Sequence, residues 1–360
     1  MGNQVALPSL LELSQEDLEA IVVGLDQPAY RARQVWRNVY QRYAMDFESM
    51  TDLPRELRRR LGERIRVAPA ESVGQQTSDD GSTTKSLLRL DDGELIETVL
   101  MRYDPFGERR ARKTVCVSTQ AGCAMGCVFC ATGAQGYRRQ LSAGEILLQV
   151  LAQGRITAEE GSPLTNIVFM GMGEPLANYA ATHAALTRLS DADGFGFAPR
   201  WITVSTVGLI PGIEQLARDH PQVSVAISLH APNDALRTRL VPVPTATLGQ
   251  LIAAARSHAK TTGRRTSFEY VLMAGINDSP EQARELAMRL RGLNCHVNLI
   301  PINPSAGVVG QRPSQAATMR FLEQLVEAHI PATVRVEKGR DILAACGQLR
   351  GDREEGTAPG

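Results

Sequence analysis

Long hydrophobic runs are missing from this 360-residue sequence. No apolar segment approaches the roughly 18 to 20 residues that a membrane-spanning helix needs. The first residues, Met-Gly-Asn-Gln-Val-Ala, also lack the basic and apolar regions of a signal peptide. The sequence therefore predicts a protein without membrane association, located in the cytoplasm. Thiols stay reduced in that compartment, which favours metal binding over disulfides for clustered cysteines.

An excess of charge of either sign is missing as well, since 39 basic residues balance 39 acidic ones. Over the whole chain this balance argues against nucleic-acid binding through bulk charge. The distribution is uneven, however, because residues 1–27 contain five acidic residues and no Lys or Arg, whereas residues 28–66 contain ten Arg and five acidic residues. Two interpretations of this Arg-rich segment remain open: it contacts nucleic-acid phosphates, or it is a solvated helical face.

Cysteine is scarce, and half of the six cysteines fall within eight residues. Cys123, Cys127 and Cys130 form a C-x3-C-x2-C run that includes Phe129. A structural zinc site needs four ligands, and no histidine lies near enough in sequence to be an obvious fourth. Cys116 could be a core strand residue or could supply that fourth ligand. A 4Fe-4S cluster is usually held by Cys thiolates, and with only three of them one iron stays open for a substrate or cofactor. The spacing predicts a metal centre and leaves both interpretations open.

The same run resembles a known family. C-x3-C-x2-C with an aromatic residue before the last cysteine is the hallmark of the radical S-adenosylmethionine (SAM) enzymes. Residues 127–139, Cys-Val-Phe-Cys-Ala-Thr-Gly-Ala-Gln-Gly-Tyr-Arg-Arg, resemble more narrowly the RlmN/Cfr family of RNA adenine methyltransferases. The resemblance covers about residue 10 to residue 352. It implies two cofactors, a 4Fe-4S cluster held by the three cysteines and SAM, which binds the open iron and breaks there to give a radical.

Alternating strand and helix patterns begin at Thr114 and predict a parallel sheet with right-handed crossovers. Six such units are too few to close an eight-stranded barrel. The expected fold class is therefore α/β, and the resemblance implies a partial (βα)6 radical-SAM barrel with its site at the carboxyl ends of the strands. The predicted strands are 114–118, 166–170, 202–206, 223–229, 268–273 and 296–300, and the predicted helices are 142–153, 178–190, 212–219, 247–260 and 280–291.

Smaller units precede the barrel. A capping-box pattern from Ser14 to Asp17 opens a first helix, Pro28 precedes a second, and a third follows Pro54. Residues 72–83 have the composition of a linker, and two strand-like runs around Asp91-Asp-Gly predict a β-hairpin. Trp36 and Tyr40 are expected to pack in the core of the helical unit. The expected domains are an N-terminal helical RNA-binding domain (1–72), a β-hairpin and linker extension (73–108), the radical-SAM partial barrel (109–340), and the C-terminal catalytic-Cys loop with a disordered tail (341–360).

Polar residues follow four predicted strands and are the candidate SAM ligands. Each of them could merely cap a turn or a helix, but their convergence at the ends of separate strands favours one shared ligand. The resemblance assigns them to SAM, with the Gly-Glu-Pro sequence holding its amino group. The candidates are Gly173, Glu174, Ser205, Ser228, Leu229, His230 and Asn303.

Three further residues are the catalytic candidates by resemblance. Cys346 matches the family's C-terminal cysteine that carries the methyl group, and Cys116 matches its second catalytic cysteine. A lone cysteine among apolar residues is usually a small buried hydrophobe, which is the interpretation for Cys295. Glu97 lies in the second strand of the hairpin and is either an exposed acid or a site residue. The general base is expected to be Glu97 or Cys116.

The implied reaction is methylation of C2 of an adenine in 23S ribosomal RNA, with transfer RNA as a second candidate substrate. By resemblance, Cys346 is methylated first, its methyl carbon is added to the ring, and Cys116 releases the product by forming a disulfide with Cys346. Partners would be RNA and an electron donor such as flavodoxin or ferredoxin, and the protein would act as a monomer. Two alternatives remain: a Cfr-like enzyme that methylates C8, and a non-catalytic RNA-binding protein with a four-cysteine zinc site.

Overall fold

The fold is described from a computed structural model, which defines residues 7–68, 70–105, 107, 110–243 and 246–349. The polar tail after Gly351 and part of the basic loop 104–113 lie outside these residues. In the part of the chain that the structure defines, no helix combines the length and the apolar character needed to cross a bilayer.

Three helices form the predicted N-terminal unit. The capping box at Ser14 is present, with the Ser14 and Asp17 side chains each bonded to the other's backbone N–H. Trp36 and Tyr40 are buried, which confirms the prediction of core packing. The helices are α1 (Gln15–Val23), α2 (Tyr30–Arg42) and α3 (Arg55–Gly62).

This helical unit packs against the barrel through polar contacts as well as apolar ones. The Arg188 guanidinium lies 4.1 Å from the centre of the Trp36 ring and donates a 2.7 Å hydrogen bond to the Tyr40 hydroxyl. Glu12 accepts hydrogen bonds from the Ser142 hydroxyl and, at 2.8 Å, from the Gly144 N–H. The unit is therefore fixed to the barrel helices that contain Arg188 and Gly144.

An antiparallel extension precedes the parallel strands in the same ten-stranded sheet. The predicted hairpin is present, but the predicted linker 72–83 is wrong because most of it forms an additional strand. This strand lies at the sheet edge and its polar side chains remain in solvent, so its sequence does not show the apolar–polar alternation expected of a strand. Backbone pairing alone defines it. The strands are β1 (Ala70–Thr77), β2 (Thr83–Leu90) and β3 (Leu95–Tyr103).

The parallel part of the sheet confirms the expected barrel. All six predicted strands are present, and a seventh, only three residues long, was not predicted. The edges β1 and β12 are not paired with each other, so the barrel stays open. The parallel strands are β4 (Arg112–Cys116), β7 (Asn166–Phe169), β8 (Ile202–Thr206), β9 (Ser224–Ser228), β10 (Thr266–Leu272), β11 (Cys295–Pro301) and β12 (Ala332–Val334).

Helices cover the outer face of this sheet, and a second sheet of two short strands flanks the three-cysteine loop. The five predicted barrel helices are present, and two others, α8 and α11, were missed, as was the short α4. The short strands are β5 (Gln120–Gly122) and β6 (Tyr137–Gln140). The helices are α4 (Ala131–Gln135), α5 (Ala143–Glu159), α6 (Tyr179–Ser190), α7 (Ile210–Asp219), α8 (Asp234–Leu240), α9 (Leu248–Thr262), α10 (Pro280–Leu290) and α11 (Gln315–Glu327).

Candidate active site

The three cysteines of the C-x3-C-x2-C run lie on the loop that joins β5 to α4. The Cys123 N–H donates a 2.9 Å hydrogen bond to the Gly136 carbonyl, and the Cys130 N–H donates one of 3.1 Å to the Cys127 carbonyl. These bonds close the loop into a compact turn. All three thiols face a cavity of about 890 Å³ at the carboxyl ends of the parallel strands, which we call the cysteine-loop cavity.

The burial of these thiols makes free thiolates unfavourable, which suits a metal centre. Burial raises the pKa of Cys123 to about 12 and also raises that of Cys127, and the neighbouring thiols add to both shifts. Free thiolates are therefore unstable here, and positive charge from a metal centre would compensate them. Among the described residues, no three His, Cys, Asp or Glu side chains converge closely enough to hold one metal ion. The thiolates of a 4Fe-4S cluster bind different irons and therefore lie farther apart than the ligands of one ion.

Gly173 and Glu174 lie in the wall of the cysteine-loop cavity, after β7. The Glu174 carboxylate accepts hydrogen bonds from the Val207 N–H at 2.7 Å and the Leu176 N–H at 3.0 Å. Burial nevertheless raises its pKa to about 7. Each oxygen thus accepts a hydrogen bond within the protein and keeps a further lone pair, so the side chain as well as the backbone of this segment can meet a ligand's amino group.

Ser205 and Ser228 end neighbouring strands and both line the cysteine-loop cavity. Leu229 differs from them, because its side chain is buried in the core and is not part of the cavity wall. Its N–H donates a 2.9 Å hydrogen bond to the carbonyl of Glu269. The structure therefore brings both serines to the cavity, whereas the Leu229 side chain lies in the core.

His230 is a buried wall residue with a defined tautomer. Its Nδ1 accepts a 3.0 Å hydrogen bond from the Val271 N–H, so the ring proton is on Nε2. Burial lowers the pKa of His230 to about 3, which keeps the imidazole neutral at physiological pH. The ring packs edge-on against Phe129, with centroids 4.4 Å apart. This contact explains the aromatic residue inside the cysteine run.

The loop that carries Cys346 lies directly against the three-cysteine loop. The Ala131 N–H donates a 2.7 Å hydrogen bond to the Gly347 carbonyl, and the Thr132 hydroxyl donates one of 2.6 Å to the Leu349 carbonyl. Gly347 has φ +81°, and a Cβ at this position would lie 2.9 Å from the Phe129 carbonyl oxygen. Two segments more than 200 residues apart are thus held together at α4.

Asn303 connects this loop to the strand β11 side of the barrel. Its side-chain amide donates a 3.3 Å hydrogen bond to the Cys346 carbonyl, and its amide oxygen accepts one of 3.3 Å from Arg312. Asn303 and Cys346 both line the cysteine-loop cavity. The residue predicted as a SAM ligand therefore also positions the loop of the predicted methyl carrier.

Cys116 and Cys346 share a second cavity of about 580 Å³, the Cys116 cavity. Cys346 belongs to the walls of both cavities, which adjoin. Burial, and next the nearby Cys346, raises the pKa of Cys116 to about 12. Cys116 does not line the cavity of the three clustered cysteines, so its position opposes the role of fourth metal ligand.

All six cysteines are free thiols in the structure, so no disulfide joins Cys116 to Cys346. The expected disulfide belongs to a step of the reaction and stays a prediction. Cys295 is a buried residue of β11 outside both cavities, as expected for a small hydrophobe.

Glu97 lies on β3 and is almost fully buried, which excludes the interpretation of an ordinary exposed acid. Its carboxylate forms a 2.9 Å ion pair with the Lys85 ammonium on β2. Glu97 points to the same face of the sheet as Val99, which pairs with Cys116. Its side chain lines neither cavity. The structure thus places Glu97 on the cavity-facing side of β3, next to the site but outside the walls of both cavities.

Two charged residues of the wall were missed by the sequence reasoning. Glu269 is buried within β10, where Oε1 accepts a 2.8 Å hydrogen bond from Asn298 and Oε2 has no partner. Arg335 follows β12 and lines both cavities; it lowers the pKa of Cys346 against the larger, raising effect of burial. A charged residue between Phe268 and Tyr270 was a usable signal for Glu269, whereas no sequence pattern marks Arg335.

The lining of the cysteine-loop cavity fits both expected cofactors. Three thiols supply the ligands of a cluster, and Ser205, Ser228 and the Nε2–H of His230 offer polar groups beside them. The unpartnered Oε2 of Glu269 is a further acceptor in this wall. Buried polar atoms without protein partners are expected where a polar ligand completes them.

Known proteins match this chain over nearly all of its length. Residues 9–67 match the family "Ribosomal RNA large subunit methyltransferase N-terminal domain", and residues 117–287 match the "Radical SAM superfamily". The ribosomal RNA large subunit methyltransferase N of Nitrosopumilus maritimus is 46% identical over 349 residues, covering 96% of this chain and 99% of that protein. The probable dual-specificity RNA methyltransferase RlmN of Moorella thermoacetica is 46% identical over 353 residues, covering 97% and 98%.

A solved structure shows the same fold. The crystal structure of a radical SAM methyltransferase from Sphaerobacter thermophilus superimposes with a TM-score of 0.90 at 50% identity, covering 96% of this chain and all of that chain. Radical SAM enzymes use a 4Fe-4S cluster and SAM, and this membership excludes the alternative of a non-catalytic zinc protein. The chain belongs to the RlmN family of radical SAM methyltransferases.

Proposed function

We propose that the protein methylates C2 of an adenine in 23S ribosomal RNA and in transfer RNA, with Cys346 as the methyl carrier. The relatives named RlmN support the substrate class. One structural observation carries the proposal: Cys346 stands between the cavity of the three clustered cysteines and the cavity of Cys116. A carrier must meet the methyl source on one side and the acceptor base on the other.

The two non-cluster thiols have different roles in this proposal. The bound cluster and SAM supply a methyl group and the radical that activates it. Cys346 accepts the methyl group on its sulfur and holds that carbon against the adenine. Cys116, once it has passed on the proton taken from C2, attacks the Cys346 sulfur as a thiolate. The bond from that sulfur to carbon breaks, its electron pair and that proton complete the methyl group on the adenine, and a Cys116–Cys346 disulfide remains. Their common cavity supports this pairing.

The proton on C2 needs an acceptor, and Cys116 is the better placed candidate. Cys116 lines the cavity that Cys346 also lines. Glu97 lines neither cavity and forms an ion pair with Lys85. A thiolate whose pKa is raised to about 12 is a strong base once formed. We assign the proton to Cys116 and a supporting electrostatic role to Glu97.

SAM would occupy the cysteine-loop cavity. We assign its amino group to the backbone at Gly173 and Glu174, and its remaining polar groups to Ser205, Ser228 and His230. Leu229 would contribute through its backbone, because its side chain is in the core. Asn303 completes the set on the side of the Cys346 loop.

The RNA must present an unstacked base to a cavity this deep, and extrusion costs a few kcal/mol, least in a single-stranded loop. The N-terminal helical domain, with its Arg-rich segment, is assigned to RNA binding.

We further propose that the protein acts as a cytoplasmic monomer reduced by flavodoxin or ferredoxin. Sedimentation analysis and reduction assays with each donor test these two points.

The deciding experiment maps the product. Protein reconstituted anaerobically with iron and sulfide is incubated with SAM, a chemical reductant and unmodified 23S ribosomal RNA or transfer RNA. The RNA is digested, and the nucleosides are separated by liquid chromatography and identified by mass spectrometry against standards. The expected product is 2-methyladenosine. A product methylated only at C8, or no methylated adenine with a cluster present and SAM cleaved, overturns the proposal.

A further inference from the structure

Two cations surround one aromatic ring beside the Cys116 cavity. The Arg112 guanidinium lies 4.2 Å from the centre of the Tyr103 ring, and the Lys338 ammonium lies 5.2 Å from it. Both distances are within the range of cation–π contacts. Tyr103 and Lys338 belong to the cavity wall, as does Val336, which is 74% exposed and therefore marks the rim. We call Tyr103, Arg112 and Lys338 the rim cluster.

The positive charge of the rim cluster is not neutralised by a close carboxylate. Among the described residues, neither Arg112 nor Lys338 has a carboxylate oxygen within 4.0 Å, in contrast to the neighbouring Arg102 and Lys113, which pair with Glu160. Asp80 is a more distant carboxylate for Lys338. Its pKa is lowered to about 2, first by a hydrogen bond from Ser78 and least by the charge of Lys338.

Among the described residues of this rim, a further carboxylate is already paired. Glu337, next to Lys338, forms a 2.6 Å ion pair with Arg312 and a longer one with Arg340. Two cations without close counter-ions at the edge of a cavity attract anions from solution.

A continuous floor leads from the rim cluster to the reactive thiol. Val99, Met101 and Tyr103 alternate along β3, so they point to one face, and all three line the Cys116 cavity. In the register of the sheet, Val99 pairs with Cys116 and Tyr103 pairs with Arg112. Arg112 precedes Cys116 by four positions along β4, a distance of about 13 Å. A ligand at Cys116 that extends along this floor reaches the two cations.

We propose that Arg112 and Lys338 bind backbone phosphates of the RNA beside the adenine that enters the Cys116 cavity, and that the Tyr103 ring holds the two cations in place. The inference rests on the proposed function for the identity of the anion. Phosphodiesters flanking an extruded nucleotide stay outside the cavity, where the rim cluster stands. Lys and Arg are the usual partners of such phosphates.

The test compares RNA binding by a double variant, Arg112→Gln with Lys338→Gln, with that of the wild type. A labelled unmodified transfer RNA transcript is titrated at several KCl concentrations. Loss of two phosphate contacts should weaken binding about tenfold near 0.2 M salt and reduce the slope of log K against log salt by about 1.4. In turnover with RNA, KM should rise while kcat stays close to that of the wild type.

The matched control is Arg256→Gln with Lys260→Gln, which removes two exposed cations from α9 on the outer layer of the barrel. It should bind RNA like the wild type, with the same salt slope. A rim-cluster double variant with the affinity and slope of the control overturns the proposal. So does an equal loss of affinity in both double variants, because it would indicate only net charge.

The role of the ring is tested separately. Tyr103→Phe keeps the aromatic face and should bind RNA like the wild type, whereas Tyr103→Leu should lose affinity and salt slope. A Tyr103→Leu variant with wild-type binding removes Tyr103 from the rim cluster. Thermal unfolding of each variant verifies that the fold is unchanged.

The outcomes for this inference and for the proposed function are distinguishable. If the wild type binds the transcript but transfers no methyl group, the proposed function fails. If the wild type methylates RNA and the rim-cluster double variant does so with unchanged KM, only the present inference fails.

Discussion

At the scale of single residues, the proposal depends most on the Cys346 sulfur. Cys346→Ala should abolish methyl transfer to RNA, because no other described thiol lies in the walls of both cavities. The three cysteines proposed to hold the cluster are untouched by this change. Iron content and visible absorbance should therefore match those of the wild type, while radiolabelled methyl groups from SAM should no longer enter RNA.

Cys295→Ala is the control for this substitution. Cys295 is equally small and is buried on β11, but it lines neither cavity. The variant should lose about 1 kcal/mol of stability or somewhat more through lost packing, and it should retain methyl transfer. Normal methylation by Cys346→Ala would remove Cys346 from the reaction.

The histidine in the cavity wall makes a prediction about pH. The unfolded chain has a His pKa near 6.5, whereas burial lowers the pKa of His230 to about 3. Below about pH 6.5 the unfolded state takes up a proton that the folded state rejects, so His230 should reduce the free energy of unfolding as the pH falls from about 6.5 toward 3.

His230→Asn isolates this effect. Asn tolerates the left-handed backbone at φ +62°, and its amide oxygen can replace Nδ1 as the acceptor for the Val271 N–H. We expect urea unfolding of the variant to lose less stability between pH 7.5 and pH 5 than that of the wild type. Equal losses in both proteins would show that His230 does not titrate on unfolding.

Sequence reasoning found most of the residues around the cavities and missed those without a local pattern. The cysteines, the strand-end polar groups and Cys346 stand in distinctive local sequences. Glu269 interrupts an apolar strand and could have been noticed. Arg335 is an ordinary residue in its local sequence, and only the path of the chain after β12 brings it between Cys116 and Cys346.

At the scale of elements, the contact between the Cys346 loop and the three-cysteine loop is tested by Gly347→Ala. The added Cβ would meet the Phe129 carbonyl oxygen at 2.9 Å and force the loop away from α4. Because displacement of a reacting group by about 1 Å can lower a rate about a hundredfold, methyl transfer should fall strongly. Initial rates of RNA methylation measure it.

The control is Gly263→Ala at the end of α9. Gly263 also has a left-handed backbone, at φ +69°, but an added Cβ there meets nothing within 4 Å. Both variants should lose roughly 1 to 2 kcal/mol of stability from the backbone conformation, and only Gly347→Ala should lose activity. Equal activity in the two variants would contradict the positioning role of this loop contact.

The predicted elements were correct where side chains define them. Apolar runs buried on both faces marked the inner strands β7 to β11. The edge strands were missed for physical reasons: β1 is polar because its side chains remain in solvent, and β12 has three residues, too few for a periodic pattern. Pairing with β2 and β11 defines them, and such pairing is invisible in a local sequence.

At the scale of the whole molecule, Arg188 links the helical domain to the barrel. Arg188→Met should remove the hydrogen bond to Tyr40 and the charge over Trp36 and lower stability by about 1 to 2 kcal/mol. Limited proteolysis should then cut the chain between the helical domain and the barrel sooner. Arg284→Met, an exposed change on α10, is the control and should leave the cleavage rate unchanged. Equal cleavage rates of both variants would mean that other contacts are sufficient to hold the helical domain against the barrel.

The adjoining cavities have one more consequence. Cys346 is one of eight residues that line both cavities and so stand between them. A cluster held by the three-cysteine loop would lie on one side of these residues, and an RNA base in the Cys116 cavity on the other. If Cys346 acts as proposed, the segment that positions the methyl carrier also separates an oxygen-sensitive cluster from the nucleic acid.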